Sequence, residues 1–262
     1  MKANVNGIGL YYETHGTDGP WLTLSHSLAC STAMWAPQIA AFSKSYRVLS
    51  FDTRGHGQSD APGGAYTLEQ MADDLAALLK TLGIDHTHFC GLSMGGMIGQ
   101  TFALKYPGVF RSLTLADTTS RYPADAAGTW VDRIKIAQTQ GMQPLVEPTL
   151  GRWFTEPFRK RRPDIMQSIG AQIAATPVNG YAGCCQAIPK INLTQRLKDI
   201  ACPILVIVGE QDMGTPLAMA EEIHANAPGS KLTVLSPAAH LSNLEQPEAF
   251  SAALEAFLKA SA

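Results

Sequence analysis

The sequence predicts an α/β fold: a mostly parallel, eight-stranded sheet with helices on both faces and a helical insertion. Three observations predict it. Short apolar runs alternate with helical patterns from residue 21 to 117 and again from 203 onward. Such alternation is the pattern of a parallel sheet covered on both sides. A serine framed by glycines, Gly91-Leu92-Ser93-Met94-Gly95, falls at one strand-to-helix junction. The alternation then stops between Ser120 and about Lys198, where helical patches are broken by prolines at 123, 144, 148, 157, 163, 177 and 189. The expected organisation is a core domain of residues 1–119 and 199–262, with residues 120–198 as a helical lid over the sheet's carboxyl edge.

Taken in order, Asn4 to His15 alternates around Asn6-Gly7 and reads as a hairpin. Trp21–Ser25 is a short buried strand running into the small-residue loop His26-Ser27-Leu28-Ala29-Cys30. A helix follows, carrying Trp35, Ile39 and Phe42 at helical spacing. Arg47–Phe51 is the next strand and ends in the polar loop Asp52-Thr53-Arg54-Gly55-His56-Gly57-Gln58-Ser59-Asp60. Thr67 then caps a helix, with Gln70 placed to complete a capping box. Leu68, Met71, Leu75, Leu78, Leu79 and Leu82 form its apolar stripe, and Gly83 stops it. Thr87–Cys90 leads into the serine turn, and a helix follows through Lys105. Ser112–Ala116 is a strand ending at Asp117. After the insertion come a strand at 203–208, a helix at about 216–226, a strand at 231–235 and a closing helix at 247–259.

The composition bounds the function. A chain of 262 residues with 45% hydrophobic content builds a full globular core. A net charge of −2 supplies no basic field for nucleic acid or an anionic membrane. The five cysteines show no C-x-x-C spacing, so they read as reduced, mostly buried thiols rather than a disulfide or zinc framework. No stretch has the apolar length of a secretory signal or a membrane span. The expected location is therefore cytoplasmic. Nothing in the sequence speaks to oligomeric state, so a homo-oligomer stays open.

The serine turn carries the chemistry. Strand, sharp turn and helix are the context that G-x-S-x-G needs. A serine there is strained, and its neighbours must carry no bulk for the turn to close. Its hydroxyl is held at a helix start, where free N–H groups favour developing negative charge. A serine needs a base and a third group that orients the base. In an open parallel sheet all three belong at the carboxyl ends of strands. Of the seven histidines, His240 is the candidate base, because it follows the last strand in a loop. His26 and His56 precede Ser93, against the chain order serine, acid, histidine. His15, His86, His88 and His224 read as solvated. Asp212, after the 203–208 strand, is the favoured acid. Asp117 is its competitor and Glu210 the third choice. The oxyanion needs two aimed N–H donors. Met94 supplies one, and Leu28, with Ser27 as near alternative, supplies the other.

Ser93, Asp212 and His240 in that order resemble the α/β-hydrolase superfamily. Asp52-Thr53-Arg54-Gly55-His56-Gly57-Gln58-Ser59 resembles its D-x-R-G-H-G-x-S loop, which is structural. Finer stretches resemble 3-oxoadipate enol-lactonases: Met34–Gln38, Cys90–Gly96, Arg152–Thr155, Gly180–Cys185 and Ala239–Pro247. Two of these lie in the insertion, where substrate choice is made. The resemblance implies hydrolysis of a small lactone or ester through an acyl-enzyme, with no metal or cofactor. A general carboxylesterase, a perhydrolase and a slow-turnover receptor on the same scaffold are the rivals. The implied substrate carries a carboxylate, for which Arg133 beside Trp130 is the candidate anchor and Trp153 an apolar wall. The run Arg159–Arg162 reads as a solvated face. Two departures stand out. His26-Ser27 replaces a more usual His-Gly, and Asp117 adds a carboxylate that would suit an anionic substrate less well.

Overall fold

A computed structural model describes residues 1–123 and 127–261. Residues 124–126 of the expected insertion, and residue 262, lie outside them. Eight strands form one sheet in the order β1-β2-β4-β3-β5-β6-β7-β8. They are β1 (Lys2–Val5), β2 (Ile8–His15), β3 (Trp21–Ser25), β4 (Arg47–Phe51), β5 (Thr87–Leu92), β6 (Phe110–Ala116), β7 (Ile204–Gly209) and β8 (Lys231–Leu235). The β1–β2 hairpin turns through Asn6 and Gly7, both at positive φ. β2 pairs antiparallel with β4, and every pairing from β4 to β8 is parallel. β5 and β7 are buried at all positions, as parallel strands covered on both faces must be.

Two apolar clusters flank the sheet. On one face Leu49, Phe51, Phe89, Leu113 and Val206 pack with α2 (Leu68–Thr81) and α9 (Leu217–Asn226). On the other, Leu22, Leu24, Cys90 and Ile207 pack with α1 (Ala36–Phe42) and α11 (Pro247–Ala260). α2 starts as expected, with the Thr67 hydroxyl accepting from the Gln70 N–H at 3.0 Å. The reciprocal half of the capping box is not formed among the described residues, and Gln70 is exposed to solvent. The turn helix, α3 (Met94–Lys105), begins at once after Ser93 and is buried through Ala103.

Between β6 and β7 lie α4 (Ala127–Gln140), α5 (Val146–Trp153), α6 (Glu156–Arg161), α7 (Pro163–Ala175) and α8 (Val178–Ala187). Among the described residues this segment has no strand beyond a single bridge, Arg121 to Asn192. Its buried side chains Trp130, Leu150, Trp153, Tyr181 and Cys185 belong to the same cluster as Leu24 and Leu92 of the sheet. The cysteines are free, and only Cys202 is part-exposed. No helix among the described residues is long and apolar enough to cross a membrane.

One expectation is corrected here. His88 is not solvated. It sits in β5, 1% exposed, with Nδ1 2.8 Å from the Ser112 hydroxyl. The β5–β6 register sets Ser112 beside it on the same sheet face, and the Tyr46 ring packs edge-on against it. The run Arg159–Arg162 is largely the solvated face expected, with Lys160, Arg161 and Arg162 exposed. Lys160 pairs with Glu156 and Arg162 with Asp164, while Arg161 lies over the Phe158 ring and Arg159 is half-buried.

One backbone contact seats α8 on the core. Gly55, at φ 79°, and Gly180 approach so closely that a Cβ on Gly180 would collide with the Gly55 carbonyl. Gly180→Ala is therefore expected to destabilise the protein by about 1–3 kcal/mol, measured as a lower urea midpoint at unchanged slope.

Candidate active site

Ser93 caps α3 with φ 56° and ψ −115°, a conformation costly for a non-glycine residue. The surroundings hold it there. Its N–H donates to the Ala116 carbonyl at 2.9 Å, and its own carbonyl accepts from the Thr118 hydroxyl at 2.7 Å. A Cβ on Gly91 would strike the Gly95 backbone, and one on Gly95 would strike the Ser25 carbonyl. That is the physical content of the flanking glycines.

The loop after β7 brings Asp212 to His240. His240 Nδ1 lies 2.8 Å from Asp212 Oδ2 and 3.0 Å from Oδ1. Asp212 also accepts from the Gly214 N–H at 2.7 Å, the Thr215 N–H at 3.0 Å and the Thr215 hydroxyl at 2.8 Å. Such a donor set suits an ionised carboxylate. Nδ1 must then carry the proton, which leaves Nε2 as the basic nitrogen. Ser93 and His240 line the same cavity. Among the described residues no hydrogen bond joins Ser93 Oγ to the ring, a looseness common in unliganded sites.

Asp117 is placed differently. Fully buried at φ 44°, it accepts from the Gly209 N–H at 2.8 Å and from the Ser242 hydroxyl at 2.5 Å. It makes no bond to His240 and does not line the cavity. The expectation that Asp117 would oppose an anionic ligand is thus corrected. Burial, reinforced by the Asp212 charge, holds its carboxyl well above the usual carboxylate range. Glu210 points elsewhere and accepts from the Ser236 hydroxyl.

In the loop after β3 three N–H groups have partners. Ser27 N–H faces the Met34 sulfur at 3.3 Å, Ala29 N–H donates to His56 Nε2 at 2.9 Å, and Cys30 N–H donates to the Ser27 carbonyl at 3.2 Å. Leu28 N–H has no partner among the described residues, and Leu28 lines the cavity. Met94 is the first residue of α3, so its N–H is free of the helix ladder. The Ser27 hydroxyl is buried and unpartnered. His26 and His56 buttress this loop. His26 Nε2 accepts from the Thr53 N–H at 2.9 Å, so Nδ1 donates to the Ser27 carbonyl at 2.7 Å. Burial pushes the His26 ring down to about 4 and the His56 ring to about 3.

The cavity, of about 220 Å³, is lined by Ser93 and His240 together with Trp130, Arg133 and Trp153, and also by Tyr122, Arg152 and Met213. The Trp153 ring centroid lies 5.9 Å from that of His240. Arg133 lies over the Trp130 ring at 4.8 Å. Arg152, not singled out as a binding residue from the sequence, donates to the Thr149 hydroxyl at 3.3 Å and to no other side chain among the described residues. Burial first, and the nearby Arg133 charge second, lower its pKa. Among the described residues no carboxylate lines the cavity. Arg152 adjoins Trp153 in a stretch already singled out, but sequence does not reveal which way either side chain faces.

A strained serine turn and an acid–histidine pair at one rim of this sheet are the architecture of an α/β hydrolase. The chain belongs to that family: the model described as "alpha/beta hydrolase fold" matches residues 20–247. Within it, the chain is 38% identical over 253 residues to 3-oxoadipate enol-lactonase 2 of Acinetobacter baylyi, covering 96% of this chain and 94% of the relative. The enol-lactonase of Burkholderia xenovorans superposes with a TM-score of 0.95 at 38% identity, covering 99% of this chain and 100% of that one. A thermophilic esterase from Thermogutta terrifontis gives 0.93 at 30% identity, covering 100% and 98%.

Three buried histidines, His26, His56 and His88, set an acid limit on stability. All are neutral when folded, with values near 4, 3 and 4, and titrate at 6.5 when free. Below pH 6.5 the unfolded chain binds more protons, so stability falls with pH. Urea melts should show a loss of a few kcal/mol between pH 7 and 5. His56→Gln, which keeps an acceptor for Ala29 but cannot titrate, should remove about a third of that loss.

Proposed function

We propose that this protein is a serine hydrolase that opens a small lactone or ester through an acyl-enzyme, with 3-oxoadipate enol-lactone as its substrate. The observation that carries the reading is the cavity itself. It joins a strained serine to a carboxylate-oriented histidine beside two arginines that pair with no acid among the described residues. The similar enol-lactonases of Acinetobacter and Burkholderia support the substrate assignment.

His240 Nε2 takes the Ser93 proton as Oγ attacks the lactone carbonyl. The Asp212 carboxylate stabilises the imidazolium that forms. The Leu28 and Met94 N–H groups receive the oxyanion, where loss of one donor typically costs about 3 kcal/mol of transition-state stabilisation. Ring opening expels an enolate that becomes a ketone, so the leaving group is good. Water, activated by His240, then frees the acid. Arg133 and Arg152 hold the substrate carboxylate, while Trp130 and Trp153 wall the ring. Residues 120–198 serve as the lid that excludes bulk water from the acyl-enzyme. A cytoplasmic location suits the free thiols. A second reading, a general carboxylesterase, is favoured by the similarity to the Thermogutta esterase.

Ser93→Ala should lower turnover about 10⁴-fold or more with the circular dichroism spectrum unchanged. Asp212→Asn should lower it about 10³- to 10⁴-fold, whereas Asp117→Asn, able to keep both of its contacts, should stay within about tenfold of wild type. The reverse order would make Asp117 the triad acid. Side-by-side kinetics on the enol-lactone and on short p-nitrophenyl esters test the substrate. The lactone should show the larger kcat/KM, and a clear preference for the esters selects the second reading.

A further inference from the structure

Two of the stretches that resemble enol-lactonases, Arg152–Thr155 and Ala239–Pro247, are far apart in sequence. The structure stitches them together along one seam. Glu245, 6% exposed at the end of the short helix Ser242–Glu245, accepts from the Thr155 N–H through Oε1 at 2.5 Å. Its other oxygen, Oε2, accepts from the Ala239 N–H at 3.2 Å. Beside them the Leu241 N–H donates to the Trp153 carbonyl at 3.1 Å. The three bonds therefore bracket His240 on one side and Trp153 on the other. Those two rings face each other at 5.9 Å, tilted by 33°.

We propose that Glu245 is a positioning residue that locks the substrate-facing wall of the helical insertion to the catalytic base. Trp153 and Arg152 are then held in register with His240 rather than moving with the insertion alone. The side chain must be a carboxylate, because both of its oxygens accept from backbone N–H groups. An amide would set its own NH₂ against one of those donors and lose that bond. A shorter acid could not span both. The proposal rests on the hydrolase reading of His240, and it makes Glu245 matter for substrates that use the wall and little for those that do not.

Two variants test it. Glu245→Gln removes one acceptor. Thr155→Pro removes the opposing donor, at a residue whose φ of −62° proline shares and whose predecessor Phe154 is already extended. In both, kcat/KM for the enol-lactone should fall at least about tenfold while kcat/KM for p-nitrophenyl acetate changes less than about threefold. Hydrogen exchange, read in peptides covering 152–156 and 238–242, should accelerate in both segments together. That second readout needs no activity, so it stands even if Ser93→Ala shows the hydrolase reading to be wrong. Equal loss on both substrates with a lowered Tm, or faster exchange in only one segment, would overturn the proposal.

Discussion

The strained backbone at Ser93 is the constraint around which the molecule is arranged. A non-glycine residue at φ 56° costs of order 1–3 kcal/mol and persists only where its neighbours allow nothing else. Here β6 supplies the Ala116 carbonyl, Thr118 caps the Ser93 carbonyl, and α3 is buried almost whole. The strain is not isolated. Of the four non-glycine residues at positive φ among those described, three are Ala29, Ser93 and Asp117, each just beyond the carboxyl end of a central strand. The fourth, Asn6, makes the distant hairpin turn. Strain is thus gathered at one rim, where the parallel sheet opens and the chain must turn sharply to present side chains.

Electrostatics at that rim separates groups that look alike. Asp117 and Asp212 are both buried aspartates after neighbouring strands. Asp212 faces two backbone N–H groups, a hydroxyl and a ring N–H, which support an ionised form. Asp117 has fewer donors and deeper burial, and the Asp212 charge opposes its own. One negative charge is therefore stabilised beside His240, and a second is suppressed. His26 and His56 follow the same logic in the opposite sense. Burial keeps both neutral, and a neutral imidazole can accept from a backbone N–H on one nitrogen while donating from the other. A charged ring could not do this, so their neutrality is what shapes the loop ending in Leu28.

The helices between β6 and β7 share a hydrophobic cluster with the sheet, so they are packed as part of the core rather than appended to it. They contribute two tryptophans and two arginines to the cavity, and the sheet's loops contribute Ser93 and His240. The Arg133 charge is felt at Arg152, and among the described residues no acid lines the space. Two neighbouring guanidinium groups in a half-buried space are unfavourable unless an anion completes them. That is the physical basis for proposing a substrate that bears a carboxylate.

Most of the fold was legible in the sequence, because strands and helices are written in short-range periodicity and caps. The hairpin at Asn6-Gly7, the Thr67 cap and the buried 203–208 run are each decided within a few residues. Ser93 was legible for the same reason: its glycines encode a local steric demand. What local pattern cannot encode is which way a side chain points once distant segments meet. His88 looked solvated until β6 was laid beside it, and Arg152 looked like one more lid residue. The sequence by itself determined the sheet, the serine turn and a short set of candidate partners. Only the tertiary structure decided that Asp212 and not Asp117 meets His240, and that the Ser27 N–H faces the Met34 sulfur while the Leu28 N–H has no partner among the described residues. Those choices depend on hydrogen bonds between residues tens of positions apart, whose geometry exists only after the chain has packed.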